Sequence, residues 1–149
     1  MSGRVLIADS NDTQRKALAL ELSEACYDVR AVTSEPALWA AVSEAAPDVL
    51  LIDADAATPD VLRHLRTCRG GEDTAVVGMA ATASGRIQAL KIGLDDTLVR
   101  PLGGAMLQAR LRNHIRSIQL LRKLRRNRIA ASDYGCAEAA AQWQPAVDV

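Results

Sequence analysis

Short apolar runs alternate along this chain with longer amphipathic segments, and this alternation constrains the fold more than any other feature of the sequence. Five runs have the length and aliphatic content of strands: residues 4–8, 27–32, 48–52, 75–80 and 97–99. The first, third and fourth runs are apolar at successive positions, which is typical of parallel strands buried on both faces. Helices are therefore expected on both sides of the sheet.

The segments between these runs have helical patterns. The predicted helices cover residues 12–25, 35–45, 59–69, 84–92 and 104–128. Ser34 is a good N-cap for the second helix, and the fourth offers Ile87, Ala89 and Leu90 before Gly93, a typical C-cap. Strict alternation of strand and helix predicts an α/β fold with a doubly wound, five-stranded parallel sheet. Ligands of such sheets bind beyond the carboxyl ends of the strands.

The fifth predicted helix is longer than a sheet of this size requires. Its apolar stripe comprises Leu107, Leu111, Ile115, Ile118, Leu121 and Leu124. Ile118, Leu121 and Leu124 lie beyond the part that we expect the sheet to bury, and an exposed stripe of this kind usually meets a partner. The pattern favours an extended helix that pairs with a second copy or leads into another domain.

Composition excludes several classes of protein. No apolar stretch approaches the ~18 residues of a membrane span, and the first residues have no signal-peptide pattern, so we expect a cytoplasmic protein. Cys26, Cys68 and Cys136 are too few and too far apart for a disulfide framework or a structural zinc site. Cys26 is expected in the core.

Acidic side chains stand where two of the predicted strands end. Asp9 follows the first strand and Asp53 the third, so both are expected at the same edge of the sheet. Neighbouring carboxylates repel one another unless a divalent cation or a basic side chain offsets their charge. Magnesium suits such an all-oxygen site, and Arg100 is the cation that the chain itself offers. Taken singly, acids after strands are turn formers or helix caps, the reading preferred for Asp12, Asp48 and Asp60.

Three segments together resemble a known family. "VLIADSN", "PDVLLIDAD" and "IGLDDTLVRPL" are similar, in order and spacing, to the landmarks of the response-regulator receiver domain, over about residues 3–124. The resemblance implies a sheet of order 2-1-3-4-5. It also implies that Asp53 accepts a phosphoryl group from a histidine kinase or phosphotransfer protein. Residues 1–124 would form the receiver, and residues 125–149 a helix extension followed by a linker or tail.

The long last helix is similar to that of the first receiver in two-receiver diguanylate cyclase regulators. On this resemblance the chain would be one piece of a longer regulator or a free-standing relative. It contains no GGDEF-like run, so any cyclase output would lie in a domain absent from this chain.

The supporting residues of the family's site are changed here. In the family, two acids after the first strand and the aspartate hold Mg²⁺, while a Lys, a Ser or Thr, and an aromatic residue bind the phosphate and transmit the signal. The matching positions of this chain are Ser10 for the second acid, Arg100 for Lys, Ala80 for the hydroxyl and Thr97 for the aromatic. The planar guanidinium of Arg100 can pair bidentately with either Asp53 or Asp9. Asp55 either adds a carboxylate to the metal site or repels an arriving phosphate, and both readings stay open.

Two functional classes therefore compete. One is a phosphoacceptor at Asp53 with a weakened Mg²⁺ site formed by Asp9, Ser10, Asp53 and Asp55. The other, which we favour, is a receiver with a degenerate site that acts through protein–protein interaction or dimerisation, with a downstream output domain or protein as partner. A hydrolase of the phosphoaspartate type is a minor rival, because the chain is short and offers no cap elements.

Charge is unevenly distributed along the chain and raises one further possibility. Residues 1–96 hold 15 acids and 9 Lys or Arg, whereas residues 97–132 hold 9 Lys or Arg and no acid. The basic run at 110–128 makes nucleic-acid binding a minor alternative. No aromatic residue is interleaved with these cations, so the sequence favours a docked or paired helix whose basic face meets the acidic body or a partner.

Overall fold

In the computed structural model, which describes residues 3–133, strands and helices alternate throughout this range. The strands are β1 (Arg4–Ala8), β2 (Asp28–Val32), β3 (Val49–Asp53), β4 (Ala75–Ala80) and β5 (Asp96–Val99). The helices are α1 (Asp12–Glu24), α2 (Glu35–Glu44), α3 (Pro59–Thr67), α4 (Ala83–Lys91) and α5 (Gly104–Asp133). All neighbouring strands are parallel, in the order β2-β1-β3-β4-β5. The predicted fold class and strand order are confirmed.

The strands are apolar at successive positions because each face of the sheet supports its own core. Val5, Ile7, Val49 and Leu51 belong to a cluster with residues of α1 and α5. The intervening Leu6, Leu50 and Ile52 point the other way and pack with residues of α2, α3 and α4. The two cores explain why β1, β3 and β4 lack a polar face.

Capping residues set where the helices begin. The N-caps of the first four helices accept a hydrogen bond from a backbone N–H in the first turn: Asn11, Ser34, Thr58 and Thr82. Such caps satisfy backbone donors that the helix cannot pair internally. They fix the start of each helix directly after the carboxyl end of a strand, which is the edge where the site is expected.

The expectation that Cys26 lies in the core is wrong. Cys26 is exposed and has a φ of 70°, in the left-handed region that ends a helix. The N–H of Cys26 donates to the carbonyl of Ser23, and the N–H of Tyr27 donates to the carbonyl of Leu22. This pairing is a Schellman motif, which turns the chain out of α1 and leaves the thiol at the surface.

Helix α5 runs five residues beyond its predicted end and is buried along only part of its length. Leu107, Leu111, Ile115 and Ile118 complete the core against the sheet. The expectation that Ile118 lies beyond the sheet is wrong, because the residue is buried in this core. Farther on, Leu121 is 47% exposed and Leu124 is 58% exposed, as the sequence predicted. The helix therefore carries an uncovered apolar stripe beyond the sheet.

Two arginines fasten this part of α5 to loops at the amino ends of the strands. Arg122 donates to Asp48 Oδ1 at 2.5 Å, to the carbonyl of Pro47 at 2.9 Å and to that of Gly70 at 3.1 Å. Arg125 lies 2.8 Å from a carboxylate oxygen of Asp73. We call these contacts the arginine clamp. Its ion pairs confirm that the basic face of the helix meets the acidic body.

Asp48 holds the centre of the clamp and is not the simple turn residue that the sequence indicated. Its other carboxylate oxygen accepts from the N–H of Arg4 at 2.9 Å, and the residue is only 6% exposed. A carboxylate so buried requires partners, since an unpaired buried charge is costly. Arg122 and the backbone of β1 supply them.

A second buried carboxylate, Asp96, joins β5 to α5. It lies 3.0 Å from Nε2 of His114 and 3.1 Å from Arg110, and it accepts from the N–H of Thr97 at 2.8 Å. Burial acts to raise the pKa of Asp96, but the hydrogen bonds from His114 and Thr97 and the charge of Arg110 outweigh it and lower that pKa.

The lowered pKa predicts a specific acid sensitivity. The carboxylate contributes its full stabilisation above the ordinary value of 3.8, and the contribution is lost as pH falls from there through the lower pKa of the folded state. As pH falls below about 4, urea midpoints should fall more steeply for the natural chain than for Asp96→Asn. Equal slopes for the two proteins would contradict this assignment.

No helix within residues 3–133 is long and apolar enough to cross a membrane. The predicted linker or tail, with Cys136, lies from residue 134 onward, outside the described residues.

Candidate functional site

The carboxyl ends of β1 and β3 bring the predicted acids to one place. Asp9, Ser10 and Asp53 line a single cavity of about 130 Å³, together with Glu35 at the start of α2. Parallel strands end at the same edge of the sheet, and the loops that follow them diverge to open a crevice there. Three of the predicted site residues are thus neighbours, and Ala80 and Arg100 follow on the adjacent strands β4 and β5.

Asp9 is buried, and the protein itself supplies donors to both of its carboxylate oxygens. The residue is 3% exposed. Its Oδ2 accepts from Nη2 of Arg100 at 2.8 Å, and its Oδ1 accepts from the N–H of Asn11 at 3.0 Å. The sequence allowed Arg100 to pair with either Asp9 or Asp53. The structure shows the pair with Asp9, through a single contact.

Arg15 also lies beside Asp9, and the sequence reasoning missed it. Nη1 of Arg15 donates to the backbone carbonyl of Asp9 at 2.9 Å, and Nη2 reaches Asp12 at 2.5 Å. Although it is an arginine, the residue is only 9% exposed. The signal was present in the sequence, because Arg15 shares the inward stripe of α1 with Leu18 and Leu22, where an unpaired charge would be unfavourable.

Asp53, the last residue of β3, is half-buried and lies at the cavity. Its Oδ1 accepts from the N–H of Asp55 at 3.2 Å. Within residues 3–129, no Lys, Arg or His pairs with the Asp53 carboxylate. Asp55 is exposed and contacts Asp53 through its backbone. The position of the predicted phosphoacceptor is therefore accessible, and its carboxylate forms no ion pair with the described cations.

The two positions that match the family's hydroxyl and aromatic residues, Ala80 and Thr97, carry neither group. Ala80 ends β4, is 2% exposed and presents only a methyl group. Thr97, in the middle of β5, is fully buried, and its Oγ1 has no hydrogen-bond partner among the described residues. A buried hydroxyl without a partner costs about 1–3 kcal/mol. Thr97 thus fills the aromatic position without replacing either the ring or the hydroxyl missing at Ala80.

The donor set does not fit a tight magnesium site. Mg²⁺ requires near-octahedral oxygen ligands, usually with one or two carboxylates. Both oxygens of Asp9 already accept hydrogen bonds, and Ser10 offers a neutral hydroxyl in place of a carboxylate. Among residues 3–133 there is no group of three or more His, Cys, Asp or Glu residues that could hold a metal ion. The guanidinium of Arg100 provides the positive charge at Asp9 that a metal would otherwise supply.

Comparison with known proteins agrees with this geometry. The family model of the response regulator receiver domain matches residues 5–112. Response regulator PleD of Caulobacter vibrioides is 32% identical over 133 residues, which cover 85% of this chain and 29% of PleD. Response regulator MprA of Mycobacterium tuberculosis is 30% identical over 119 residues, covering 78% of this chain and 52% of MprA. The chain thus spans only part of the length of these relatives.

Solved structures share the fold at lower sequence identity. One is the receiver domain of sensor histidine kinase PA1611 from Pseudomonas aeruginosa, which has a magnesium ion coordinated in its active site cleft. It matches with a TM-score of 0.68 and 20% identity, covering 77% of this chain and 98% of that one. The match of the family model, the relatives and the strand order lead to one conclusion: this chain belongs to the response regulator receiver domain family of two-component signalling.

Proposed function

We propose that this receiver domain has a degenerate phosphorylation site and acts in signalling by binding other proteins, without a cycle of phosphorylation at Asp53. The ion pair between Arg100 and Asp9 carries the proposal. It joins a guanidinium to a carboxylate whose side chain is only 2% exposed. A receiver that uses its phosphoacceptor needs these charges for the metal and the phosphate, whereas here they neutralise each other.

The ion pair with Asp9 also disfavours movement of the Arg100 guanidinium to a phosphate on Asp53. If Arg100 moved to a phosphate on Asp53, Asp9 would be left buried with one hydrogen bond from Asn11. Removing one partner from a buried pair costs about 3–5 kcal/mol, part of which the phosphate contact would return. Arginine strengthens this preference, because its planar fork holds a carboxylate more firmly than the point charge of lysine does.

The switch residues support the same conclusion. In the receiver family that the sequence resembles, a hydroxyl on the fourth strand and an aromatic ring on the fifth move together once phosphate is bound. Ala80 has no hydroxyl to draw toward a phosphate, and Thr97 has no ring to swing. A phosphate on Asp53 would therefore have no side chain at these positions through which to shift the domain between two states.

Receiver domains interact with histidine kinases, phosphotransfer proteins and output domains, and we propose partners of these kinds for this chain. Because it spans 29% of PleD, we further propose that it belongs to a regulator whose output lies outside the described residues. The exposed Leu121 and Leu124 support a homodimer or a domain contact through α5.

A phosphorylatable Asp53 is the second candidate. It is favoured by one observation, namely that Asp53 lies at the cavity and makes no ion pair within residues 3–129. A weakly bound Mg²⁺ at Asp53 and Ser10 would belong to this alternative.

The two candidates predict different products with a small phosphodonor. The chain would be incubated with acetyl phosphate and Mg²⁺, beside a receiver that retains both acids, the hydroxyl and the Lys as a positive control. Intact-mass analysis should show no phosphoryl adduct on this chain, because the charges that neutralise the phosphoryl oxygens are missing or engaged. An adduct that disappears in Asp53→Asn would establish the second candidate instead.

A further inference from the structure

A wide groove runs between α5 and the start of β1. It lies at the amino ends of the strands, the edge of the sheet opposite the phosphorylation site. It has a volume of about 760 Å³, and its lining includes Arg4, Arg116, Leu120, Lys123 and Arg126. We call it the basic groove. Arg122 and Asp48 also line the groove and neutralise each other in the arginine clamp.

The groove holds four exposed cations that the described part of the chain leaves without an acidic partner. Within residues 3–129, no carboxylate lies within ion-pair distance of Arg4, Arg116, Lys123 or Arg126. By contrast, three other arginines of the same helix are paired with acids of the body: Arg110, Arg122 and Arg125. Cations collected around one groove repel each other, so an anionic partner relieves that repulsion as well as adding its own attraction.

The exposed leucine among these cations indicates which kind of anionic partner the groove would bind. Leu120 is 58% exposed and lies on the groove between Arg116 and Lys123. Along the axis of α5, Lys123 lies about 10 Å from Arg116, and Arg126 lies about 15 Å from it. Helices that pair with a partner helix commonly carry an apolar residue flanked by charged residues two turns apart.

Two other occupants fit less well. A second copy of α5 would bring the same cations face to face, since residues 97–132 contain no acid. A nucleic acid would find no aromatic side chain on which to stack, and it would leave Leu120 without an apolar contact. Neither explains the combination of four free cations with an exposed leucine.

We propose that the basic groove binds an amphipathic helix of a partner protein, one that carries Asp or Glu residues on either side of an apolar residue. This inference rests on the proposed function in one respect, that the domain works by binding proteins. It does not depend on whether Asp53 can be phosphorylated.

The test uses the full chain and a fluorescein-labelled helical peptide of about 20 residues, with Leu at every seventh position and flanking Glu. Fluorescence anisotropy should show saturable binding that weakens as salt rises. Lys123→Glu with Arg126→Glu should weaken it at least about tenfold, and Leu120→Ala should weaken it without changing the salt dependence. Arg128→Glu is the matched control, because Arg128 is an exposed cation of the same helix outside the groove lining, and it should bind nearly as the natural chain does.

Several outcomes would overturn the inference: no binding, equal loss in the Arg128→Glu control, equal binding of a peptide with the same residues scrambled, or tighter binding of duplex DNA. Circular dichroism of each variant establishes that α5 remains folded. The Lys123→Glu/Arg126→Glu protein is also assayed with acetyl phosphate, where it should behave as the natural chain does. Failure of the peptide test therefore leaves the result at Asp53 standing, and an adduct at Asp53 leaves the groove standing.

Discussion

Replacing Ser10 by Asp, Ala80 by Ser and Arg100 by Lys in one protein is expected to make Asp53 a phosphoacceptor for acetyl phosphate. Ser10→Asp supplies a second carboxylate for Mg²⁺. Ala80→Ser supplies a donor to the phosphate oxygens, and a hydrogen bond to a charged group is worth about 1.5–3 kcal/mol, or roughly tenfold or more in yield or rate. Arg100→Lys replaces the fork that holds Asp9 by a point charge free to reach the phosphate.

The measurement is the fraction of protein with a phosphoryl adduct, followed by intact mass over time with Mg²⁺ present. The same triple variant with Asp53→Asn is the control and should carry no adduct. Single variants separate the effects. Arg100→Lys alone should change little, because it frees Asp9 without completing a metal site. If the triple variant stays unmodified while its unfolding midpoint is close to that of the natural chain, the engaged charges at Asp9 are not what prevents phosphorylation.

The largest loss of stability is expected from Arg122→Ala. The change removes three contacts at once, to the Asp48 carboxylate and to the carbonyls of Pro47 and Gly70. It leaves Asp48 buried with only the N–H of Arg4 as a donor. Breaking a fully buried pair costs about 3–5 kcal/mol. Since the Arg122 side chain is 22% exposed, water offsets part of this cost, and we expect a loss of about 2–3 kcal/mol in the free energy of unfolding.

Urea unfolding gives this number directly, and the neighbouring residue provides the control. Lys123→Ala removes an exposed cation from the same turn of α5 and should change the free energy of unfolding by no more than about 0.5 kcal/mol. A loss below about 1 kcal/mol for Arg122→Ala would show that the clamp does not hold Asp48 in solution. Replacing Asp48 by Asn as well should recover part of the loss, because the buried charge is then absent.

The sequence predicted the strands and helices closely, and the reason is local. Each strand lies within one residue of its predicted range, since buried strands are apolar at successive positions and end in polar turns. The helix starts were marked by residues such as Ser34, whose capping role is set by the adjacent turn. Packing was less predictable. In α4, Ala89 is buried, while Ile87 is 58% and Leu90 is 45% exposed, because the helix turns only a small residue toward the sheet.

At the site, the sequence identified which residue types are present but not how they pair. Strand ends placed Asp9 and Asp53 at one edge, yet both Asp9 and Asp53 were acceptable partners for Arg100. The choice depends on side-chain directions that a linear pattern does not contain. The clamp was hidden for a similar reason: Arg122 meets Asp48 and Gly70 across 74 and 52 residues of chain. Contacts over such separations follow from how layers stack, and neither periodicity nor spacing encodes them.

The arginine clamp also fixes α5 to the body of the domain partway along its length. The helix has 30 residues, a length of about 45 Å, and it is gripped partway along by two loops at the amino ends of the strands. A tilt of about 10° at the clamp would carry the end of α5, about 12–17 Å farther along, through roughly 2–3 Å. Small adjustments at Pro47 or Gly70, far from Asp53, would thus be passed along α5 to its carboxyl end.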